Sequence, residues 1–403
     1  MIMKILHINA TDILGSTGTI IKNINNYLEE HYPYFNTFIA SRDGKTEGNS
    51  FRYINDAEYF IIRAARKLFG KTLFGTFLPT KRLIRYIDSI SPDIIHLHVI
   101  HHQSLNYKML FKYLKTFKGK VFYTLHDCWP FSGGCYYYSE AGCDGFLTGC
   151  VKCPQNAADL DCLRSAVKRE FDFKKKALNE IPNITFVAVS DWLAGEAKKS
   201  FLKEKEILTV HNGINAEIFK PLDLPKNDRF TVISAASCWT PRKHLDILLK
   251  LAKELSDVDF IVVGQVGNEK NQAQYPNVRF YGRTASAEEL CRLYNSADVF
   301  ANFSTEETFG LVTAEAMACG IPVVAFNKTA CGEALGDDCG FVVDGIDNYR
   351  DALLSLKNSD LSKYKNTCRK RVEDFYTTEI MCKHYSALYK KYYDLKSRES
   401  FND

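Results

Sequence analysis

No apolar run in the 403-residue sequence approaches the ~20 residues that a membrane-spanning helix requires, which argues against a chain that crosses a bilayer as helices. There is also no excess of either charge. The formal net charge is only +4, so nothing in the composition points to nucleic acid as a partner. The opening stretch "MIMKILHINA" lacks a basic leader, an apolar stretch of signal length and a small-residue cleavage site, and it reads instead as a β-strand. The expected location is therefore cytoplasmic. No internal repeat and no low-complexity segment is visible. Cysteine, by contrast, is plentiful: there are 13, an odd number, scattered except for one cluster. In a reducing compartment disulfides are not expected from them.

A chain of this length exceeds the size at which a single core stops growing, so two domains are expected. Short apolar runs alternate with helical segments from end to end. The first half offers "MKILHINA", "NTFIAS", "DIIHLHV", "KVFYTLH", "ITFVAVS" and "ILTVHN". The second offers "FTVISAAS", "DFIVVG", "VRFYG", "VFANFS", "PVVAF" and "FVVD". Continuous apolar strands separated by helices indicate parallel sheets covered on both faces. The stretch "INAEIFKPLDLPKNDRF", with two prolines and mixed charge, is the natural boundary. The expected fold is α/β, two doubly wound Rossmann-like domains facing a cleft. The first spans residues 1–216, with a cysteine-rich loop at 128–162, and the second spans 217–375. A helix at 376–403 has the option of packing back on the first domain.

The chemistry concentrates in "STEETFGLVTAEAMACGIPVV". A strand ends before it, "TEETF" is the loop after the strand's carboxyl end, and "GLVTAEAMACG" is a helix. Ligands of open α/β sheets bind outside the carboxyl ends of strands. Gly310 opens the helix with no side chain, so a ligand can approach the backbone. The exposed amides of the first turn favour an anion such as a diphosphate. Glu307 lies ahead of this turn and Glu315 inside the helix. Carboxylates on either side of a phosphate site do not bind phosphate. They accept hydrogen bonds from hydroxyls, and a nucleotide-sugar carries hydroxyls on both sides of its diphosphate. The pattern places the sugar at Glu307, the phosphates at Gly310 and the ribose at Glu315.

"EETFGLVTAEAMACGIPVV" resembles the signature of the retaining, nucleotide-sugar-dependent glycosyltransferases of family 4, which have the two-domain GT-B fold. "GSTGTI", "PDIIHLH", "TLHDCWPFSGGC", "VSDWL" and "HNGINAEIFKP" resemble further blocks of that family, so the likeness runs over nearly the whole chain. It is nearest to a bacterial branch that builds capsular, exopolysaccharide or lipopolysaccharide chains. The resemblance implies transfer of a hexose from a UDP- or GDP-sugar to a glycan acceptor that is lipid-linked, with retention and without a catalytic metal. It implies donor contacts from Arg242, Lys243, Glu307, Phe309, Gly310, Leu311 and Glu315, with Lys243, Glu307 and His126 nearest the chemistry.

The likeness is imperfect in one place. The family carries an arginine about five residues before a Lys-Gly, both cations facing the donor diphosphate. In "SAASCWTPRKHLDILL" Lys243 fits the lysine, Cys238 holds the place of the arginine and His244 replaces the glycine. Either Arg242 supplies the second charge or the site works with one fewer. In the first domain, His126 follows a strand at the cleft edge, where the family's histidine contacts the donor sugar. Gly15, Ser16, Thr17 and Gly18 form a short glycine loop on the acceptor side, and His98 belongs to the same side. The run "HLHVIHH" (His96, His98, His101, His102) also admits a metal or a buried-strand reading.

Two further segments stand out. Cys135, Cys143, Cys150 and Cys153 lie among glycines and end in a Cys-x2-Cys, so they are either free thiols or the ligands of a tetrahedral structural zinc. Residues 58–87 mix basic side chains with Leu, Ile and Phe. They form either an amphipathic helix pair with a solvated basic face or an in-plane contact with the inner face of an anionic membrane. Two other functions compete with transfer. One is a nucleotide-sugar epimerase of the same fold; the other is a zinc-containing nucleic-acid-binding protein. "DVD" precedes a strand and "DLD" follows the cysteine loop, the wrong ends for a metal-binding Asp-x-Asp.

Overall fold

The computed structural model describes residues 2–10, 15–44, 46–69, 73, 75–101, 105–225, 227–267 and 274–402. Two compact units divide the chain: Met1–Val210 with Cys382–Asp403, and His211–Met381.

The first unit contains β1 (Met3–Asn9), α1 (Ser16–His31), β2 (Phe35–Ser41), β3 (Ser50–Arg52), α2 (Asp56–Phe69), α3 (Phe77–Ile90), β4 (Ile94–Leu97), α4 (Tyr107–Leu114), β5 (Lys120–Leu125), α5 (Gly145–Thr148), α6 (Val167–Asn179), β6 (Ile184–Ala188), α7 (Asp191–Lys199) and β7 (Glu206–Thr209). Its sheet has the order β3-β2-β1-β4-β5-β6-β7. All of its pairings are parallel. Every apolar run read as a strand is one, because a parallel sheet covered on both faces needs no polar alternation. Burial is complete along β4 and β6. The exception to legibility is β3, three half-buried residues with no apolar run.

The second unit contains β8 (Thr231–Cys238), α8 (Leu245–Glu254), β9 (Asp259–Gln265), β10 (Val278–Tyr281), α9 (Ala287–Ser296), β11 (Val299–Asn302), α10 (Leu311–Ala318), β12 (Val323–Phe326), β13 (Gly340–Val343), α11 (Ile346–Lys357) and α12 (Ser362–Phe375). Its parallel sheet has the order β10-β9-β8-β11-β12-β13. Glycine is required where strands pair closely: at Gly264 (φ 117) an added Cβ would lie 1.6 Å from the carbonyl oxygen of Ala236 on β8, and at Gly340 (φ 142) 1.8 Å from that of Val323 on β12.

The last helix, α13 (Thr378–Asn402), begins in the second unit and continues in the first. Of its tyrosines, noted as a helical pattern in the sequence, two are core residues of the first unit. Tyr385 and Tyr389 are fully buried. Tyr385 shares a 3.1 Å hydrogen bond with Thr124, and Tyr393 packs on Tyr34 at 4.6 Å. Burying side chains of this size contributes about 1.5–3 kcal/mol each.

Candidate functional site

Each sheet reverses its strand order once, between β1 and β4 in the first unit and between β8 and β11 in the second. A crevice opens outside the carboxyl ends of the strands at such a switch point. In the second unit that crevice is built by three loops. After β8 comes a 3-10 turn, Pro241–Lys243, closed by His244 in the left-handed region (φ 47). The family's glycine falls at this residue, and the positive φ is the reason a glycine suits it. After β11 the chain runs from Phe303 to Gly310, also left-handed (φ 86), which caps α10. After β12 comes Thr329 (φ 48).

Hydrogen bonds tie these loops together. The Thr305 amide donates to the Arg242 carbonyl at 3.1 Å, and the His244 ring meets the Thr305 hydroxyl at 3.1 Å. The Glu307 amide donates to Thr329 Oγ1 at 2.9 Å, while the Glu307 carbonyl accepts from the Ala330 amide at 3.2 Å. The Lys243 ammonium forms an ion pair with the Glu307 carboxylate. The two lie 64 residues apart in sequence, and the fold brings them together. Arg242 Nε stands 3.9 Å from the buried Glu306 carboxylate. Glu306 and Thr329 are site residues that the sequence reading missed; Glu306 stands in the quoted motif beside Glu307, while no motif marks Thr329.

Glu315 lies one turn into α10, where Tyr294 of α9 donates to its Oε2 at 3.3 Å. Burial pushes its carboxyl up to about 7, partly opposed by that hydrogen bond. A hydroxyl pair donating to it favours the charged form. Leu311 opens the helix half-exposed. Phe309 is 3% exposed and packs against Tyr376 at 5.5 Å, so a ligand can meet only its backbone. Its phenyl ring belongs to the core. A cavity of about 490 Å³ after β8 is lined by Trp239, Pro241, Leu245, Leu249, Lys253 and Tyr275.

In the first unit, Gly15 caps α1, while Ser16, Thr17 and Gly18 are already helical. The expected free-standing glycine turn is thus a helix N-terminus. His126 follows β5 and keeps partial exposure, and burial lowers its ring to about 4. His98 is corrected: it is 1% exposed and belongs to no open loop. Its two nitrogens are occupied by His7 at 3.0 Å and His126 at 3.1 Å, which hold the ring inside the sheet edge. His102 lies outside the described residues. A second cavity, about 690 Å³, opens near Asp93 and Gly119 at the amino ends of β4 and β5, the opposite edge from His126.

Cys135, Cys143, Cys150 and Cys153 line one small cavity with Tyr138 and Phe146. The Gly145 amide donates to Cys143 Sγ at 3.4 Å, a contact that suits a thiolate. Burial pushes the Cys135 thiol up to about 11 and the Cys150 thiol up to about 12. Among the described residues, these four are not one of the groups whose donor atoms all lie within 4.8 Å of one another.

Residues 229–359 match the family described as "Glycosyl transferases group 1". The chain is 25% identical over 295 residues to the Escherichia coli (strain K12) protein whose name assigns it to colanic acid biosynthesis as glycosyl transferase WcaC, covering 69% of this chain and 70% of that one. Its fold is shared with a sucrose-phosphate synthase from Thermosynechococcus elongatus (TM-score 0.72, 16% identity, 98% of this chain and 100% of that one). It is also shared with Anabaena Alr3699/HepE solved with UDP and glucose (TM-score 0.61, 15% identity, 96% and 100%).

Proposed function

We propose, for a chain whose second unit carries a group 1 glycosyltransferase domain, that it transfers a hexose with retention from a nucleotide-diphosphate sugar to a lipid-linked glycan in bacterial surface polysaccharide synthesis. The observation that carries this reading is the crevice at the β8/β11 switch point, where Lys243, Glu307 and the Gly310-capped α10 converge. An incoming diphosphate exchanges the Lys243 ammonium's carboxylate partner for phosphate oxygens, and Gly310 lets it approach the first turn of α10. Glu307, released from Lys243, accepts hydrogen bonds from the transferred sugar, and Glu315 accepts them from the ribose. The name of WcaC supports the polysaccharide context, and the UDP and glucose of the HepE structure support the donor class. A thermal-shift panel of nucleotide diphosphates and nucleotide-sugars tests the donor, because a ligand that binds the folded state raises apparent stability. Product analysis with a lipid-linked acceptor tests transfer. An epimerized nucleotide-sugar, or free nucleotide without a glycan product, would replace this reading with the epimerase one.

The acceptor's lipid suggests where the chain works. On α2 and α3 five large apolar side chains are exposed: Phe60 (73%), Ile61 (52%), Leu68 (75%), Phe77 (56%) and Leu78 (62%). Arg63, Lys67, Lys81 and Arg85 are exposed on the same helices. Arg66 is turned inward, with a buried guanidinium nitrogen, and Arg82 is held by Glu58 in a two-pronged pair at 2.8 and 3.0 Å. Exposed basic and apolar groups together fit the headgroup region of an anionic bilayer. Co-sedimentation with phosphatidylglycerol vesicles is expected to weaken with salt and to fall several-fold in Arg63→Gln/Lys67→Gln. Unchanged binding by that variant would make this an ordinary solvated face.

A zinc at the four-cysteine cavity is proposed only as a structural element, since four thiolates leave no open coordination position. Elemental analysis of untagged protein is expected to give about one zinc per chain. Fully reduced, active protein with almost none would remove the metal.

A further inference from the structure

At the switch point of the first sheet the structure gathers histidines that no assigned role uses. His7 on β1 pairs in register with His96 on β4, so both rings stand on one face, and His98 follows two residues on. The three lie within 4.8 Å of one another by their donor nitrogens, in the fully buried interior. A metal is not what this arrangement offers. His96 is engaged at both nitrogens, by Tyr389 at 2.5 Å and Thr124 at 2.7 Å. His98 is engaged at both as well, which leaves the group without three open lone pairs.

What the rings do form is a line. His7 Nδ1 meets His98 Nε2 at 3.0 Å, and His98 Nδ1 meets His126 Nε2 at 3.1 Å. Burial depresses all three, His7 to about 3 and His126 to about 4, with His98 well below the ordinary imidazole range. Each ring is therefore neutral and carries a single N–H. Two contacts between three such rings can run in only two directions. If the protons sit on Nε2 throughout, the His7 N–H points from a nitrogen that is buried and has no partner among the described residues. Orphaned buried N–H groups are rare in folded proteins. If the protons sit on Nδ1 throughout, every N–H of the first two rings is used, and only a lone pair at His7 Nε2 is unmet.

We propose that His7 is a positioning residue: the chain His7–His98–His126 runs in one direction and fixes His126 as the tautomer protonated on Nδ1. His126 then presents an N–H, rather than a bare lone pair, on the edge that points away from His98. Its use as a donor to the transferred sugar rests on the glycosyltransferase reading above; the tautomer itself does not.

The test is long-range ¹H–¹⁵N spectroscopy of full-length protein labelled at histidine, with wild type, His7→Asn and His7→Leu. The asparagine amide nitrogen occupies the position of His7 Nδ1 and can still donate; leucine cannot. Wild type and His7→Asn are expected to show His126 and His98 protonated on Nδ1, and His7→Leu to show a mixture of tautomers at His126. Turnover is expected to fall about tenfold in His7→Leu, with donor KM little changed, and to recover in His7→Asn. A wild-type His126 protonated on Nε2, or a His126 that keeps its Nδ1 proton in His7→Leu, overturns the proposal, and the wild-type spectrum decides this even if a variant folds poorly. If the tautomers are as expected but His126→Ala leaves turnover intact, the chain stands and the sugar contact assigned to His126 falls.

Discussion

Lys243→Ala is expected to lower turnover by on the order of 10²-fold or more, the usual effect of removing one group that stabilises charge developing in a transition state. The ammonium lies in the crevice of the second unit with Glu307 as its partner. A contact to a departing diphosphate strengthens as the glycosidic bond breaks and negative charge builds on the leaving oxygen. The loss therefore falls on kcat more than on nucleotide affinity. Arg242→Ala is the companion measurement. Its guanidinium faces the buried Glu306 at 3.9 Å. If it supplies the cation that Cys238 does not, its removal has an effect comparable to that of Lys243→Ala. If turnover is unchanged, Arg242 serves to compensate Glu306, and the site works with one cation fewer than the family pattern.

Glu307→Gln is expected to lower kcat by a similar order, again about 10²-fold, for a related electrostatic reason. Positive character develops at the anomeric carbon as the leaving group departs, and a carboxylate held at the sugar both orients its hydroxyls and favours that charge. The backbone of Glu307 is fixed at both its amide and its carbonyl, by Thr329 and Ala330. The substitution therefore changes the charge while the loop keeps its hydrogen bonds. Steady-state kinetics on the full donor separate the outcomes. A variant with unchanged kcat and a raised KM would assign Glu307 to uniform binding rather than to the transition state.

How much of this was legible in the sequence differs by element. Parallel strands buried on both faces announce themselves as apolar runs, which is why β1, β4, β5, β8, β9, β11 and β12 were readable; the edge strands β10 and β13 are largely half-exposed and were read from their apolar and aromatic residues alone. The three-residue β3 was not, because it is half-buried and carries no pattern. Gly310 was readable because it opens the helix of the motif with no side chain; that it caps α10 in the left-handed region (φ 86) is added by the structure. The left-handed backbone of His244 (φ 47) had one sign in the sequence, its place where the resembling family has glycine, and that sign was not read as conformation. The Lys243–Glu307 pair and the Arg242–Glu306 contact join segments about 64 residues apart, and only the order of strands in the sheet makes them neighbours. Phe309 sits inside the motif yet turns its ring into the core against Tyr376. Its position in the sequence gave no sign of which way it faces. The histidine run was readable as a strand with a common face, but His7, the residue that begins the chain of rings, lies about 90 positions away.

The central claim is that the donor lies along the β11 loop and α10, sugar toward Glu307 and ribose toward Glu315. Isothermal titration of UDP and GDP into wild type, Glu307→Gln and Glu315→Gln tests it without requiring the acceptor. A ribose contact is remote from the bond that breaks, so it contributes equally to ground and transition states. Glu315→Gln is expected to weaken the preferred nucleoside diphosphate by roughly tenfold or more, the loss of a charge-assisted hydrogen bond. Glu307→Gln is expected to bind it as wild type does or somewhat more tightly, since Lys243 no longer has to leave a carboxylate. The contrary result, a Glu307→Gln protein that loses the nucleotide and a Glu315→Gln protein that keeps it, would mean that the donor runs along this helix in the opposite direction.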